Sequence, residues 1–279
     1  GNGTFQPPVT YSGIFSRGNT GTNSAVALLD ADLDGDLDIA FTSSYAYDHT
    51  VEDGKLALLR NDGSGSFTID RYPYGLPYQN VALDLAVADL NGDPYPDLVG
   101  PQFYESGFVV FLADGEGGYE RTATLASADD AIAIATPDLD DDGDSDVVTV
   151  NRLYPLIAAH ENPGDGPFPQ LPVFGDAFVP FVLDVGDVNG DDHLDAVLSH
   201  SGAVSSAVYV FLGAGDGTFV QSWVTPGITY GFAKFRDLDG DDVLDLLFVS
   251  APSAPPCDFF SARGDSGGAL RTAIHSLVR

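Results

Sequence analysis

The sequence predicts an all-β chain, a β-propeller of about five four-stranded blades. Three observations predict it: an Asp-rich loop of nine residues recurs five times, a Gly-rich turn ending in an aromatic recurs in phase with it, and the segments between them are short apolar runs with no helical period over any long window. Short strands separated by Gly, Asp and Pro at a fixed spacing are the pattern of propeller blades.

The loop is clearest at 187–195, DVNGDDHLD, which sets oxygen-bearing side chains at positions 1, 3, 5 and 9 (Asp187, Asn189, Asp191, Asp195) around Gly190. Calcium takes six to eight oxygen ligands, and EF-hand loops deliver them from positions 1, 3, 5, 7 (a backbone carbonyl) and 9. An EF-hand would run on as a helix to a bidentate Glu; here the apolar run AVLS follows at once, so the loop joins two strands. The spacing predicts one calcium ion per blade. Magnesium fits less well, because it keeps its waters and avoids flexible protein cages.

Taken in order, the copies begin at Asp30, Asp89, Asp138, Asp187 and Asp237, with starts 59, 49, 49 and 50 residues apart. Their side-chain ligands are Asp30, Asp32, Asp34 and Asp38; Asp89, Asn91, Asp93 and Asp97; Asp138, Asp140, Asp142 and Asp146; Asp187, Asn189, Asp191 and Asp195; and Asp237, Asp239, Asp241 and Asp245. Position 7 lends its carbonyl, from Asp36, Tyr95, Asp144, His193 and Val243. The first loop admits a second register beginning at Asp32; Asp30 is preferred because it keeps Asp32, Asp34 and Asp38 at positions 3, 5 and 9. Pro94 and Pro96 make the second loop the expected deviant. The turns end at Phe5, Phe67, Tyr119, Phe168 and Phe219, spaced 62, 52, 49 and 51 apart. The long first interval places an insertion at 43–54, polar and Tyr-containing.

Each unit supplies an apolar run before the loop (AVALL, DLAVA, AIAIA, FVLDV, YGFAKF), one after it, a third, and a more polar fourth segment behind the Gly turn. No linker divides the 279 residues, so one domain over 1–279 is expected. The ends leave closure open: residues 1–13 resemble a fourth strand, and so does the segment from GDSGGAL onward. One copy finishes the fifth blade while the other overlaps it or pairs with a neighbouring molecule by strand addition, or the chain is a piece of a larger ring.

The pairing of DxNGDxxxD loops with GDGTF turns resembles the FG-GAP or VCBS repeat, the calcium-loop propeller blade of integrin α-chain heads and of many secreted bacterial proteins and fungal lectins. The resemblance spans essentially the whole chain and is specific for fold and metal. For activity it implies little, since that family includes adhesins, lectins and accessory domains of enzymes.

Composition bounds the partners. Eleven Lys and Arg against 42 Asp and Glu give a formal charge of −31, which excludes phosphate-neutralising contact with nucleic acid. Five divalent ions would bring −31 to −21, so a solvated acidic surface remains beside the metal loops. One cysteine, Cys257, excludes an intrachain disulfide framework, and no apolar run is long enough for a membrane helix, so no membrane insertion is expected. The chain begins GNGTF without Met and is read as a processed segment; weak multi-site calcium loops suit millimolar extracellular calcium, so the expected location is secreted or cell-surface.

Two strings invite catalytic or adhesive readings. GDSGG at 264–268 matches a serine-protease nucleophile motif but lies where the repeat places a Gly turn, and a triad is defined by geometry. The overlapping Arg263-Gly264-Asp265 is read as part of the same turn. The five His show no metal spacing, and no catalytic carboxylate pair stands outside the loops. The expected function is therefore a non-catalytic binding or adhesion module for a glycan or protein ligand, with the Tyr-rich insertion (Tyr45, Tyr47) and the grooves between blades as the contact surface. The alternative is a structural subunit self-associating through its terminal strands, and an accessory domain of a polysaccharide-degrading enzyme ranks third.

Overall fold

The computed structural model describes residues 25–43, 55–73, 84–102, 107–122, 125, 131–152, 157–164, 168–172, 180–201, 206–226, 231–250 and 258–262. The terminal segments, most of the insertion, Tyr45, Tyr47 and the strings at 263–268 lie outside the described residues.

The described chain is all-β, in five antiparallel sheets that follow chain order. Sheet 1 holds β1 (Val26–Leu29), β2 (Asp38–Ser43), β3 (Lys55–Asn61) and β4 (Phe67–Pro73). Sheet 2 holds β5 (Ala86–Ala88), β6 (Asp97–Pro101), β7 (Phe108–Ala113) and β8 (Tyr119–Arg121). Sheet 3 holds β9 (Ala131–Ala135), β10 (Val147–Asn151) and β11 (Ile157–His160). Sheet 4 holds β12 (Pro180–Gly186), β13 (Asp195–Ser201), β14 (Ser206–Gly213) and β15 (Phe219–Pro226); sheet 5 holds β16 (Gly231–Arg236), β17 (Asp245–Ser250) and β18 (Asp258–Ala262).

Three sheets have the expected four strands. Among the described residues sheet 3 has three, and its fourth segment contributes one bridge, His160 to Gln170, flanked by the bonds Glu161 N–H to Pro169 O and Leu171 N–H to Ala159 O. Pro169 and Pro172 bracket that bridge, and a proline has no N–H to give a ladder. The fourth segment of the fifth unit lies outside the described residues.

Each sheet packs on the next, which explains why the apolar runs do not alternate with polar residues. In sheet 2, Leu98 and Phe111 pack against Leu56 and Leu58 of sheet 1, while Val99 and Val110 on the other face pack with Ile134 and Val147 of sheet 3. A strand covered on both faces reads as a continuous apolar run, and every residue of β6 and β10 is buried. Val148, Val150 and Ile157 then meet Leu198, Tyr209 and Phe211, and Val197, Val208 and Val210 meet Phe235, Leu246 and Phe248. His160 is buried edge-on to Phe108 at 5.0 Å, and burial lowers its pKa to about 4, so it is a neutral core residue.

The Gly-rich turns keep step with the loops because the two touch. In the turns before β4, β8 and β15, the chain closes by Asp62 N–H to Ser66 O, Asp114 N–H to Gly118 O and Ala214 N–H to Thr218 O. The first glycine of each lies against the side chain at loop position 7 of its own unit. A Cβ on Gly63 would come 2.4 Å from the Asp36 carboxylate, and one on Gly215 would come 2.3 Å from the His193 ring. Gly215 also has φ +71°, in the left-handed region. Gly215→Ala is expected to lower stability by about 1–3 kcal/mol, from left-handed strain and the displaced ring, read as the midpoint of urea unfolding. An unchanged midpoint would show that loop and turn are not coupled.

Candidate metal centres

Each loop follows the first strand of its sheet and leads into the second. Position 9 is the first residue of that second strand in four sheets and directly precedes it in sheet 3, and its carboxylate is the hub. Oδ2 of Asp38, Asp97, Asp146, Asp195 and Asp245 accepts the N–H of position 2, from Ala31, Leu90, Leu139, Val188 and Leu238, at 2.8–3.2 Å. Oδ1 of the first four accepts an N–H from the last residue of the third strand, of Asn61, Ala113 and Gly213, or in sheet 3 from Asn162 two residues past it, at 2.7–2.9 Å. One side chain thus ties the loop to a strand it does not precede. The position-9 bond from Ala31 also fixes the register of the first loop, with Asp30 at position 1.

The remaining carboxylates fold the loop on itself. Oδ1 at position 5 accepts the N–H of position 7 in all five copies: Asp34 from Asp36, Asp93 from Tyr95, Asp142 from Asp144, Asp191 from His193 and Asp241 from Val243. Position 1 collects N–H groups from the turn; Asp187 takes those of Asn189, Gly190, Asp191 and Asp192. These are Asx turns, in which short polar side chains replace backbone partners.

In four of the five loops two residues sit in the left-handed region, at positions 4 and 6. Loops one and three put Gly at position 6 (Gly35, Gly143) and a non-glycine at position 4 (Leu33, φ 58°; Asp141, φ 61°). Loops four and five reverse this, with Gly190 and Gly240 at position 4 and Asp192 (φ 70°) and Asp242 (φ 65°) at position 6. Loop two has Gly92 at position 4 and Pro94 at position 6, where the ring holds φ negative. It keeps its position-5 and position-9 bonds. Asp tolerates this conformation, but Leu does not. Leu33 is 47% exposed and gives up little by truncation. Leu33→Gly is therefore expected to stabilise by about 0.5–1 kcal/mol, seen as a rise in melting temperature.

Carboxylate oxygens converge within 4.8 Å of one another in three clusters among the described residues: Asp30, Asp32 and Asp34; Asp138, Asp140 and Asp146; Asp237, Asp239 and Asp245. In the other two loops position 3 is an amide, and Asn91 and Asn189 donate through Nδ2 to Asp93 and Asp191 at 2.8 and 2.9 Å. Burial pushes the pKa of Asp146 and Asp195 up to about 6 against the pull of their N–H donors, and raises those of Asp38 and Asp97 in the same way. Asp140 is raised by burial and then by the charge of Asp142, whereas Asp237 is lowered by the N–H of Gly240. In two of the clusters an oxygen is buried without any donor: Asp32 Oδ1 and Asp138 Oδ1. A buried carboxylate oxygen without a partner is costly, and a cation among these oxygens would remove that cost. The donor set, all oxygen and anionic, suits a hard divalent ion.

Residues 187–248, which carry the fourth and fifth loops, match the model of the FG-GAP-like repeat. The match supports that repeat family. It covers the stretch in which loop, strand and Gly turn are most regular. No curated protein matches the chain. Among solved structures, the chain is similar to an exo-β-1,3-galactanase from Phanerochaete chrysosporium with β-1,3-galactotriose, at a TM-score of 0.49 and 10% identity. That alignment covers 90% of this chain and 62% of the galactanase chain.

Spacing within the repeat did not distinguish the five ligand positions from one another, and the structure does. It also shows two acidic residues that the loop spacing passes over. Asp84 accepts the N–H of Ile134 at 3.0 Å, and Asp184 accepts that of Phe235 at 2.8 Å, so each joins the first strand of one sheet to the first strand of the next. Their signal in the sequence is a charge inside an apolar run, in DLAVA and FVLDV.

Proposed function

We propose that this chain is a calcium-stapled β-propeller of five blades, secreted or held at a cell surface, which binds a glycan or protein ligand without catalysis of its own. The observation that carries the metal is the pair of donorless buried oxygens, Asp32 Oδ1 and Asp138 Oδ1, inside carboxylate clusters that recur at one repeat position. Five sheets in chain order, each packed on its neighbour, support the ring. An open apolar face on the first sheet supports closure: Val26 and Leu28 lie on the side of β1 turned away from sheet 2, at 63% and 61% exposure. Leu28 stands two residues before its loop, as Val87 does in sheet 2, and Val87 packs against sheet 1. Strand exchange through the termini concerns residues outside those described, and no observation favours it.

Native mass spectrometry of the intact chain after exchange into calcium is the test of the staple. Close to five bound ions, lost together with the compact charge-state distribution on chelation, is the expected result. A calcium-free compact protein with no mass increment would overturn the reading.

A further inference from the structure

A cavity of about 410 Å³ opens where the first strands of sheets 2 to 5 converge, walled by Asp84 ahead of β5, by Ile134 to Pro137, by Leu183 to Val185 of β12, and by Leu194 and Lys234. Its size falls within the range of about 300–1,000 Å³ usual for small-ligand clefts. Unlike the loops, its lining differs from unit to unit. Residues one repeat apart contribute an acid in sheet 4 (Asp184), a base in sheet 5 (Lys234) and Ala135 in sheet 3.

The polar groups are held in place. The two oxygens of Asp84 accept N–H groups from Leu85 and Ile134, both at 3.0 Å. Lys234 Nζ donates to Asp184 Oδ1 at 2.9 Å and to the Leu183 carbonyl at 3.3 Å. Asp184 Oδ2 accepts the N–H of Phe235 and, at 3.4 Å, a proton of Arg236. An ammonium has three protons, so Lys234 keeps one for an incoming group, and each Asp84 oxygen keeps a lone pair.

That inventory selects the ligand. An anion would enter beside two carboxylates on a chain of formal charge −31, and a cation would approach Lys234 head on. A hydroxyl donates to a carboxylate and accepts from an ammonium, and a compact ring bearing several hydroxyls keeps apolar edges for Ile134, Pro137 and Leu183. We infer that the cavity binds one neutral monosaccharide unit, whose hydroxyls donate to Asp84 and accept from Lys234. The inference deepens the binding-module reading and rests on it for the existence of a ligand.

The test is a titration of the calcium-loaded chain with the methyl glycosides of glucose, galactose, mannose and xylose, and with glucuronate and glucosamine, followed by amide NMR. At least one neutral glycoside is expected to shift the amides of Leu85, Ile134 and Phe235 saturably, with both charged sugars weaker by at least about tenfold. Thr136→Phe fills the cavity without touching the charged groups and is expected to weaken binding by at least about tenfold. Asp84→Asn, which keeps the volume, should do the same if the Phe variant does not fold. Saturable shifts confined to other amides would overturn the site and leave the binding-module reading standing. No shift with any of the four, or tighter binding of glucuronate, would overturn the inference, while the calcium measurements judge the ring separately.

Discussion

Chelation of the intact chain is expected to lower its melting temperature by about 20 °C or more, with calcium restoring it and magnesium at the same concentration restoring far less. The magnitude follows from linkage. An ion that binds only the folded chain at a hundred times its Kd contributes about 2.7 kcal/mol per site, and the three carboxylate clusters alone would give about 8 kcal/mol. In a domain of this size 1 kcal/mol moves the melting temperature by about 2–4 °C. The same residues fix how pH acts once the ion is gone. Asp146 and Asp195 have folded pKa values raised to about 6, above the ordinary carboxyl value of 3.8, so protonation favours the fold. Their contribution is fully present below 3.8 and is lost as pH rises through 6. His160 acts the other way: its folded pKa of about 4 lies under the ordinary imidazole value of 6.5, so its effect destabilises progressively as pH falls from 6.5 to 4. In chelator, lowering pH from 7 to 5 is therefore expected to recover part of the lost stability through the two carboxyls, and a His160→Gln background to recover more. In calcium the same acidification is expected to destabilise, because protons compete with the ion for the same oxygens. A calcium-independent melting curve at pH 7 would remove the metal from the account.

The repeat was legible because its spacing is a covalent fact. Loop starts, strand order and the phase of the Gly turns all follow from it, and the sheets run in chain order as expected. What the spacing hides is which atom each oxygen faces. Asp191 and Asp195 are alike in the sequence, yet one bonds the next turn of its own loop and the other a strand eighteen residues on. In sheet 3 the one described bridge of the fourth segment, at Gln170, stands between Pro169 and Pro172, a local feature that the regular period does not carry. Asp84 and Asp184 were counted among apolar runs because the strands around them are buried on both faces, and only the packing of consecutive sheets shows what those charges join.

The division of labour inside the loop gives a second large effect, with opposite signatures at two positions. Asp195→Ala would leave the N–H groups of Val188 and Gly213 without their acceptor beside the buried core of sheet 4. At about 1–3 kcal/mol for each orphaned donor the loss is expected to be about 2–6 kcal/mol. Because these bonds do not involve the ion, most of that loss should persist in chelator. Asp32→Ala is the converse. Its Oδ1 has no donor and its carboxylate lies beside those of Asp30 and Asp34, so without calcium its removal relieves their repulsion, offset by lost attraction to Arg60, and the variant should be about as stable as the wild type. With calcium it forfeits a ligand and should lose about 1–3 kcal/mol of the ion's contribution. Urea unfolding of both variants in calcium and in chelator separates the roles. Equal losses for Asp32→Ala in the two buffers would mean that position 3 supports the loop as position 9 does, and that the convergent oxygens are a property of the turn and not of an ion.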